Sequence, residues 1–401
     1  QHQYGVMFDA MVELFNEGKP VDLVTLQDRL KEKDVPPEVS SLDFVRDIMT
    51  SVPTSVNVKS YANIVREKAV LRRLIKVNEE IENLCYGGRD KLEDILAHTE
   101  KSVFDLLQSR GGGEFVPIRQ VALNVLEKIE AASKSNSTVT GIPTGFIDLD
   151  YRTSGFQPSD FILIAARPGM GKSALALNIA QNAAIMDRAA VAIFSLEMPG
   201  IQIANRMLSA QAKVSAERIK RGDLKDDDWP KLGEALAALS DTKIYIDDNS
   251  SVTATEIGAK CRKMKIEKGL DLVIIDYLQL MSSGMSGVNR QQEVSDISRT
   301  LKVMANDLGI PVIALSQLNR SVEKRDVKEP VLSDLRESGS IEQDADMVIF
   351  LYREGYYNED CEEPNKTKIK FDKHRNGEVG SEFLSWLGEY TKFANWSGMR
   401  E

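Results

Sequence analysis

The chain has 401 residues, 42% of them hydrophobic and 28% charged, with a net charge of −10. The apolar share is too high for a disordered chain, and no apolar run approaches the roughly 18 residues of a spanning helix, so no membrane association is expected. An acidic balance also argues against a surface coated in positive charge for blanket nucleic-acid binding.

The length predicts roughly two to three domains. Cys85, Cys261 and Cys361 stand far apart with no CxxC pair, which leaves neither a disulfide framework nor a zinc ribbon to read. His2, His98 and His374 form no metal-ligand spacing. Gln1-His2-Gln3-Tyr4 lacks the basic leader, apolar stretch and cleavage site of a signal peptide, so a cytoplasmic protein is expected.

From Val6 to about Leu107 the apolar residues recur at helical spacing. Val6, Met7, Ala10, Met11, Leu14 and Phe15 share one face, and Ile64, Leu71, Leu74, Ile75, Val77, Ile81 and Leu84 share another. Breaks fall at Gly18-Lys19-Pro20, Val35-Pro36-Pro37, Ser51-Val52-Pro53 and Tyr86-Gly87-Gly88. This predicts an all-helical domain over 1–108, built from antiparallel helices with short connections. Ser109-Arg110-Gly111-Gly112-Gly113 opens a linker over 109–139. Within it, Pro117 to Ala132 reads as one amphipathic helix, with Ile118, Val121, Leu123, Val125, Leu126 and Ile129 apolar. A lone helix between linkers must dock its stripe somewhere, either on its own chain or on a neighbouring subunit.

Beyond residue 140 short β-rich runs alternate with helical segments: Phe161–Ala165, Ala190–Phe194, Lys243–Ile246, Leu272–Ile275, Val312–Leu315 and Met347–Tyr352. Such alternation predicts βαβ units around a mostly parallel sheet buried on both faces. The late runs Lys366–Lys373 and Ser381–Phe393 alternate without helices between them and predict a closing antiparallel hairpin. No internal repeat stands out.

Ala166-Arg167-Pro168-Gly169-Met170-Gly171-Lys172-Ser173, followed by Ala174, sits between the first of these strands and a helix. That is the layout of a phosphate-binding loop, whose backbone N–H groups cradle phosphates where glycine allows close approach. Lys172 would reach the β- and γ-phosphates of ATP, and the Ser173 hydroxyl would ligate Mg²⁺. The usual first glycine is replaced by Ala166, and a chance Gly-Lys-Ser at a helix start is the competing reading. Asp276 closes the strand Leu272–Ile275, where it can either hold the Mg²⁺ of a bound nucleotide or cap a turn. Glu197 follows a strand and could deprotonate an attacking water; Gln317 follows another and could sense the γ-phosphate. Each taken alone is equally a solvated polar residue. Four strands offering such groups at one edge point to a nucleotide-hydrolysing core.

Thr140-Gly141-Ile142-Pro143-Thr144-Gly145-Phe146-Ile147-Asp148-Leu149-Asp150 precedes that loop. Further motifs are Phe194-Ser195-Leu196-Glu197-Met198, Ile274-Ile275-Asp276-Tyr277-Leu278-Gln279-Leu280-Met281 and Asp334-Leu335-Arg336-Glu337-Ser338-Gly339-Ser340-Ile341. Together they closely resemble the DnaB family of bacterial replicative DNA helicases, over nearly the whole chain. Ala166 is how that family writes its loop. The resemblance implies an all-α N-terminal domain, a linker helix and, over 140–401, a RecA-like P-loop NTPase core. It implies a homohexameric ring that encircles single-stranded DNA and translocates 5′ to 3′ on ATP hydrolysed between subunits, with primase and a helicase loader as partners.

Residue by residue, the resemblance makes Lys172 and Ser173 the phosphate and Mg²⁺ contacts, Glu197 the catalytic glutamate, Asp276 the Mg²⁺-supporting aspartate and Gln317 the sensor. It makes Arg375, helped by Lys373, an arginine finger reaching a neighbour's γ-phosphate, where a planar and permanently charged fork suits two phosphate oxygens. Read without the family, a Lys-x-Arg at a strand end is a solvated surface pair. Arg336, Glu337 and Gly339 match one DNA-contacting loop, and the stretch Ser282–Arg290 lies where the other begins. The family's leading helical segment ahead of Tyr4-Gly5-Val6-Met7 is not in this sequence, so the N-terminal domain is expected without its start. No function attaches to the tail Trp396–Glu401. A recombinase and a ring scaffold with little unwinding of its own are the rival readings.

Overall fold

The structure is a computed structural model. It describes residues 2–33, 36, 41–51, 58–87, scattered positions from 92 to 103, 117–134, 139–278, 281, 290–325, 327–358 and 360–398. The chain divides into two compact units, Gln1–Ala122 and Leu123–Glu401.

The first unit is helical: α1 (His2–Asn16), α2 (Leu23–Glu32), α3 (Leu42–Ser51) and α4 (Val58–Gly87). The Asp22 carboxylate accepts from the N–H groups of Val24 and Thr25, and the Thr25 hydroxyl accepts from the Asp22 N–H. That reciprocal cap fixes where α2 begins. Met7, Ala10 and Leu14 of α1 then bury against Leu26, Leu30 and Val45. Arg29 clamps Glu17 with two bonds of 2.8 and 2.6 Å. On α4, by contrast, Ile64, Leu71, Leu74 and Ile75 of the stripe found by periodicity are exposed, while Val77, Ile81 and Leu84 are half-buried. Helix α5 (Ile118–Lys134) spans the division between the units, and Ile118, Val121, Leu126 and Ile129 are exposed.

The second unit is a nine-stranded sheet in the order β3-β2-β4-β5-β1-β6-β7-β8-β9. Its strands are β1 (Phe161–Ala166), β2 (Val191–Ser195), β3 (Ile244–Asp247), β4 (Leu272–Asp276), β5 (Val312–Gln317), β6 (Met347–Arg353), β7 (Lys366–His374), β8 (Gly380–Leu387) and β9 (Lys392–Asn395). The first six run parallel. Alternation within each central strand sorts side chains onto two faces. Ile162, Ile164, Leu272, Ile274, Ile313 and Leu315 pack on one side with α7 (Lys172–Met186) and α8 (Gly200–Ala212). Phe161, Leu163, Val273, Ile275, Val312 and Ala314 pack on the other. There they meet Ile257 and Cys261 of α11 (Ala254–Glu267) and Ile297, Leu301 and Met304 of α12 (Arg290–Leu308). Each fully buried Leu, Ile or Phe contributes about 1.5–3 kcal/mol, which makes this double layer the main source of the unit's stability. Shorter helices complete it: α6 (Ile147–Thr153), α9 (Ala216–Arg221), α10 (Asp228–Ser240) and α13 (Gly339–Asp344).

The closing segment departs from the expected hairpin. Ser381–Phe393 is broken into β8 and β9 by a 3-10 turn at Gly388–Tyr390, with Thr391 in the left-handed region at φ 50°. The result is a three-stranded antiparallel meander. It folds back under the phosphate loop: the Phe393 N–H donates to the Asn178 side chain of α7 at 2.7 Å.

Candidate active site

The loop from Arg167 to Gly171 joins the end of β1 to the start of α7, with Gly169 at φ 82° and Gly171 at φ 97°. A Cβ at Gly169 would stand 2.7 Å from the Tyr356 ring, and one at Gly171 2.9 Å from the Phe393 ring. Both conformation and space therefore demand glycine. Met170 is 1% exposed and pins the turn into the core, while Pro168 and Gly169 stay outside. Ala166 is buried in register with Gln317, so a methyl group is accepted where the usual pattern has glycine.

Strand order does the rest of the assembly. β2, β4, β5 and β1 are consecutive neighbours, so their carboxyl ends line one edge. Asp276 ends β4, and its backbone carbonyl accepts from the Leu196 N–H at 2.7 Å, which sets Glu197 beside it with its side chain exposed. Gln317 ends β5 directly across from Ala166. Lys172 Nζ lies 3.8 Å from Asp276 Oδ1 and 4.6 Å from the centre of the Tyr277 ring. Burial pushes the Lys172 ammonium below the usual lysine range, against the pull of Asp276 and Glu197. Among the described residues, Asp276 Oδ1 is buried with no hydrogen-bond partner. An orphaned carboxylate oxygen beside an ammonium, at the mouth of a glycine-bearing loop and next to Ser173, suits a nucleotide carrying a divalent cation. Lys172, Ser173, Glu197, Asp276 and Gln317, picked from separate parts of the sequence, thus come together.

Arg167 is used differently from its neighbours in the loop. Its guanidinium is 8% exposed and donates to the Leu318 carbonyl at 2.7 Å and to Glu323 at 2.9 Å. The side chain thus ties the loop to the segment that follows Gln317.

Lys373 and Arg375 lie elsewhere. β7 is antiparallel to β6, so its end falls at the amino edge of the parallel strands, with Met347 opposite His374. A strand of six residues separates that edge from the phosphate loop by about 20 Å. Arg375 donates to the Gln343 carbonyl at 2.8 Å and pairs with Asp346 at 3.3 Å. Lys373 donates to the carbonyls of Glu342 at 2.5 Å and Gln343 at 3.1 Å. Burial and the neighbouring Arg375 push the Lys373 ammonium down. Arg336, Glu337 and Gly339 fall on a 3-10 segment (Leu332–Ser338) and the first residue of α13; their side chains are outside the described residues, as are positions 282–289 of the other predicted loop.

Three residues that the motifs did not reveal also flank the loop. Arg353, ending β6, donates to the Gly169 carbonyl at 3.3 Å and stacks 5.0 Å over the Trp386 ring. Tyr356 packs against Gly169 and meets Tyr357 edge-on at 5.3 Å. Their only trace in the sequence is aromatic crowding, with Tyr352, Tyr356 and Tyr357 in one short stretch that begins at the end of a buried strand.

The family model described as DnaB-like helicase C terminal domain matches residues 141–395, and the DnaB-like helicase N terminal domain matches residues 1–67. The replicative DNA helicase DnaC of Bacillus subtilis is 48% identical over 390 residues, covering 97% of this chain and 86% of that protein. The replicative DNA helicase DnaB of Geobacillus stearothermophilus is 47% identical with the same coverage. A solved DnaB-like replicative helicase, described together with its interactions with primase, superposes with a TM-score of 0.77 at 34% identity, over 97% of this chain and 91% of that one.

Proposed function

The chain belongs to the DnaB-like replicative DNA helicases, ATP-hydrolysing enzymes whose general function is ATP-driven unwinding by a hexamer, and from that premise we propose how its residues divide the work. Backbone N–H groups from Gly169 to Ala174, following the turn set by Pro168, and the Lys172 ammonium bind the β- and γ-phosphates of ATP. Mg²⁺, held by the Ser173 hydroxyl and Asp276, would neutralise phosphate charge when bound with the nucleotide. Glu197 orients a water and takes its proton as the water oxygen attacks the γ-phosphorus and the bond to the bridging oxygen breaks, releasing ADP. Gln317 reports the γ-phosphate to the segment beyond it. Arg353, Tyr356 and Trp386 wall the loop on the side of β6 to β8 and orient the nucleotide.

One observation carries the assignment of a site shared between copies. Lys373 and Arg375 sit at the edge of the sheet opposite their own phosphate loop, which supports a role for them at the site of another copy rather than at their own. A ring in which each copy lends its finger to the next satisfies that geometry at every interface. We assign Arg336, Glu337 and Gly339 to contact with single-stranded DNA in the ring's channel, with 5′ to 3′ movement, Mg²⁺ dependence, a cytoplasmic setting, and a primase and a loader as partners. Few cationic contacts per copy suffice, because six copies repeat them.

The test is unwinding of a forked duplex with ATP and Mg²⁺, run beside a mass measurement of the assembly. Unwinding by a hexamer supports the motor; strand exchange by a filament would support the recombinase, and a hexamer that hydrolyses ATP without unwinding would support the scaffold. Mixing Arg375→Ala copies with Lys172→Ala copies checks the shared site. Only mixed interfaces then hold an intact loop and an intact finger, so recovered hydrolysis supports the trans arrangement.

A further inference from the structure

The side chains of the finger pair share one short element as an anchor. Lys373 donates to the carbonyls of Glu342 and Gln343, and Arg375 donates to that of Gln343. These are last-turn carbonyls of α13 (Gly339–Asp344), which have no partner within the helix. Arg375 is held further by Asp346, two residues beyond the helix, through its guanidinium at 3.3 Å and through its N–H to the Asp346 carbonyl at 2.9 Å. The opposite end of α13 is Gly339, which follows directly on the 3-10 segment that carries Arg336 and Glu337.

Six residues of helix span only about 9 Å, so the stretch assigned to DNA and the two finger cations lie at the two ends of one rigid piece. That piece is braced rather than loose. The Asp344 carboxylate accepts from the Ser298 hydroxyl at 2.5 Å, and Asp346 pairs with Lys302 at 2.6 Å, both from α12. A displacement of the Arg336–Gly339 stretch that moves α13 as one body, with α12 braced to it, would carry the Glu342 and Gln343 carbonyls and with them Lys373 and Arg375.

We propose that α13 is a lever through which the DNA occupancy of one subunit sets the finger that the same subunit lends to its neighbour. Hydrolysis at an interface then answers to the DNA contact of the copy donating the finger, and not to that of the copy donating the phosphate loop. The inference rests on the assignments of Arg375 to the neighbouring site and of Arg336 to DNA, and its test separates all three.

Rings are assembled from equal amounts of Lys172→Ala copies and Arg375→Ala copies, so that every active interface takes its loop from the second kind and its finger from the first. Turnover is measured with and without oligo-dT. Arg336→Ala is then introduced into one kind of copy at a time, and Glu337→Ala in parallel as a second variant at the same stretch. The expected result is that stimulation by oligo-dT, taken as a ratio to each mixture's own turnover without DNA, drops at least fivefold when the change is in the finger donor, and is little altered when it is in the loop donor. Equal loss from both placements, or loss only from the loop donor, would overturn the lever. If the unmodified mixture recovers no turnover, the shared-finger assignment fails and the lever with it. If Arg336→Ala and Glu337→Ala in both kinds leave stimulation intact, the DNA assignment fails and the lever with it.

Discussion

Lys172 Nζ stands 3.8 Å from Asp276 Oδ1 with both side chains nearly buried, yet that oxygen accepts no hydrogen bond from any described residue. A charge-assisted bond between such groups closes to about 2.7–2.9 Å where nothing prevents it. At 3.8 Å the pair leaves that close contact unmade, at a site whose other groups are a hydroxyl and the N–H groups of the loop. Bringing in a phosphate and a cation satisfies both charges at once. A non-hydrolysable ATP analogue with Mg²⁺, at about a hundredfold over its Kd, is expected to stabilise the folded state by roughly 2.7 kcal/mol. For a unit of this size that is a rise in Tm of about 5–8 °C. In Asp276→Asn the extra stabilisation due to Mg²⁺ should disappear while that due to nucleotide alone persists. An unchanged Mg²⁺ increment in calorimetry would remove Asp276 from the cation site.

Lys172 also predicts a pH dependence. Burial lowers its pKa, with Asp276 and Glu197 opposing, so in the empty site the ammonium loses its proton below the ordinary lysine value of about 10.4. Phosphate binding needs the protonated form. The KM for ATP should therefore climb on the alkaline side before that value is reached, while kcat falls less. The sign for stability is the reverse of the usual lysine case. Between the lowered folded pKa and the ordinary one, the unfolded chain binds more protons, so this residue's contribution to stability rises with pH. Lys172→Ala should reduce kcat/KM by at least about 10²–10³-fold, as loss of a preorganised charge contact does, with the far-ultraviolet circular dichroism unchanged. An alkaline KM limb that survives in Lys172→Arg would mean that another group titrates there.

Arg167 supplies the third prediction. Its fork spans two acceptors, the Leu318 carbonyl and the Glu323 carboxylate, and Leu318 is the residue after Gln317. The Asn319 N–H donates to the Asp334 carbonyl at 3.3 Å, inside the 3-10 segment that leads to Arg336. Arg167 is in this reading a positioning residue between the phosphate loop and the segment leading to the DNA stretch. Arg167→Ala should leave the KM for ATP within about threefold and lower the DNA-stimulated part of kcat. Arg167→Lys should fail to restore it, because a point charge cannot serve both acceptors. A KM that rises tenfold with stimulation intact would make Arg167 a nucleotide contact instead.

The parallel part of the sheet was legible because each of its strands is a short, largely apolar run with at least two valines or isoleucines, bounded by polar turns. The edge of the site was legible for the same reason: where such a strand ends in Asp276 or Gln317, the polar residue is delivered to the carboxyl edge whatever the rest of the fold does. Contacts made across long stretches of sequence were not legible. Nothing near Gly169 announces Tyr356 or Arg353, and nothing near Arg167 announces Leu318 and Glu323. The break in Ser381–Phe393 was hidden because Gly388-Glu389-Tyr390 interrupts the alternation by one short turn, too brief to disturb a period of two. Net charge misled for a different reason. A value of −10 describes the average surface, whereas the proposed contacts with DNA occupy a small channel repeated around a ring, and an acidic exterior discourages nonspecific binding outside it.

Helix α5 carries the last prediction. Ile118, Val121, Val125, Leu126 and Ile129 are between 42% and 80% exposed along one helix, and a stripe of that kind left in water forfeits the burial that stabilises an amphipathic helix. Docking on a second copy would bury it, and an interface made once per subunit closes around a ring. Covering even half of these five side chains is worth several kcal/mol per interface at about 25 cal/mol per Å². Leu126→Asp combined with Ile129→Asp should therefore shift the assembly from hexamers toward smaller species in native mass measurements at micromolar concentration. Each unit's own unfolding should be unaffected, because neither residue contributes to a buried core. Hexamers that persist in this variant would place the docking surface of α5 within its own chain.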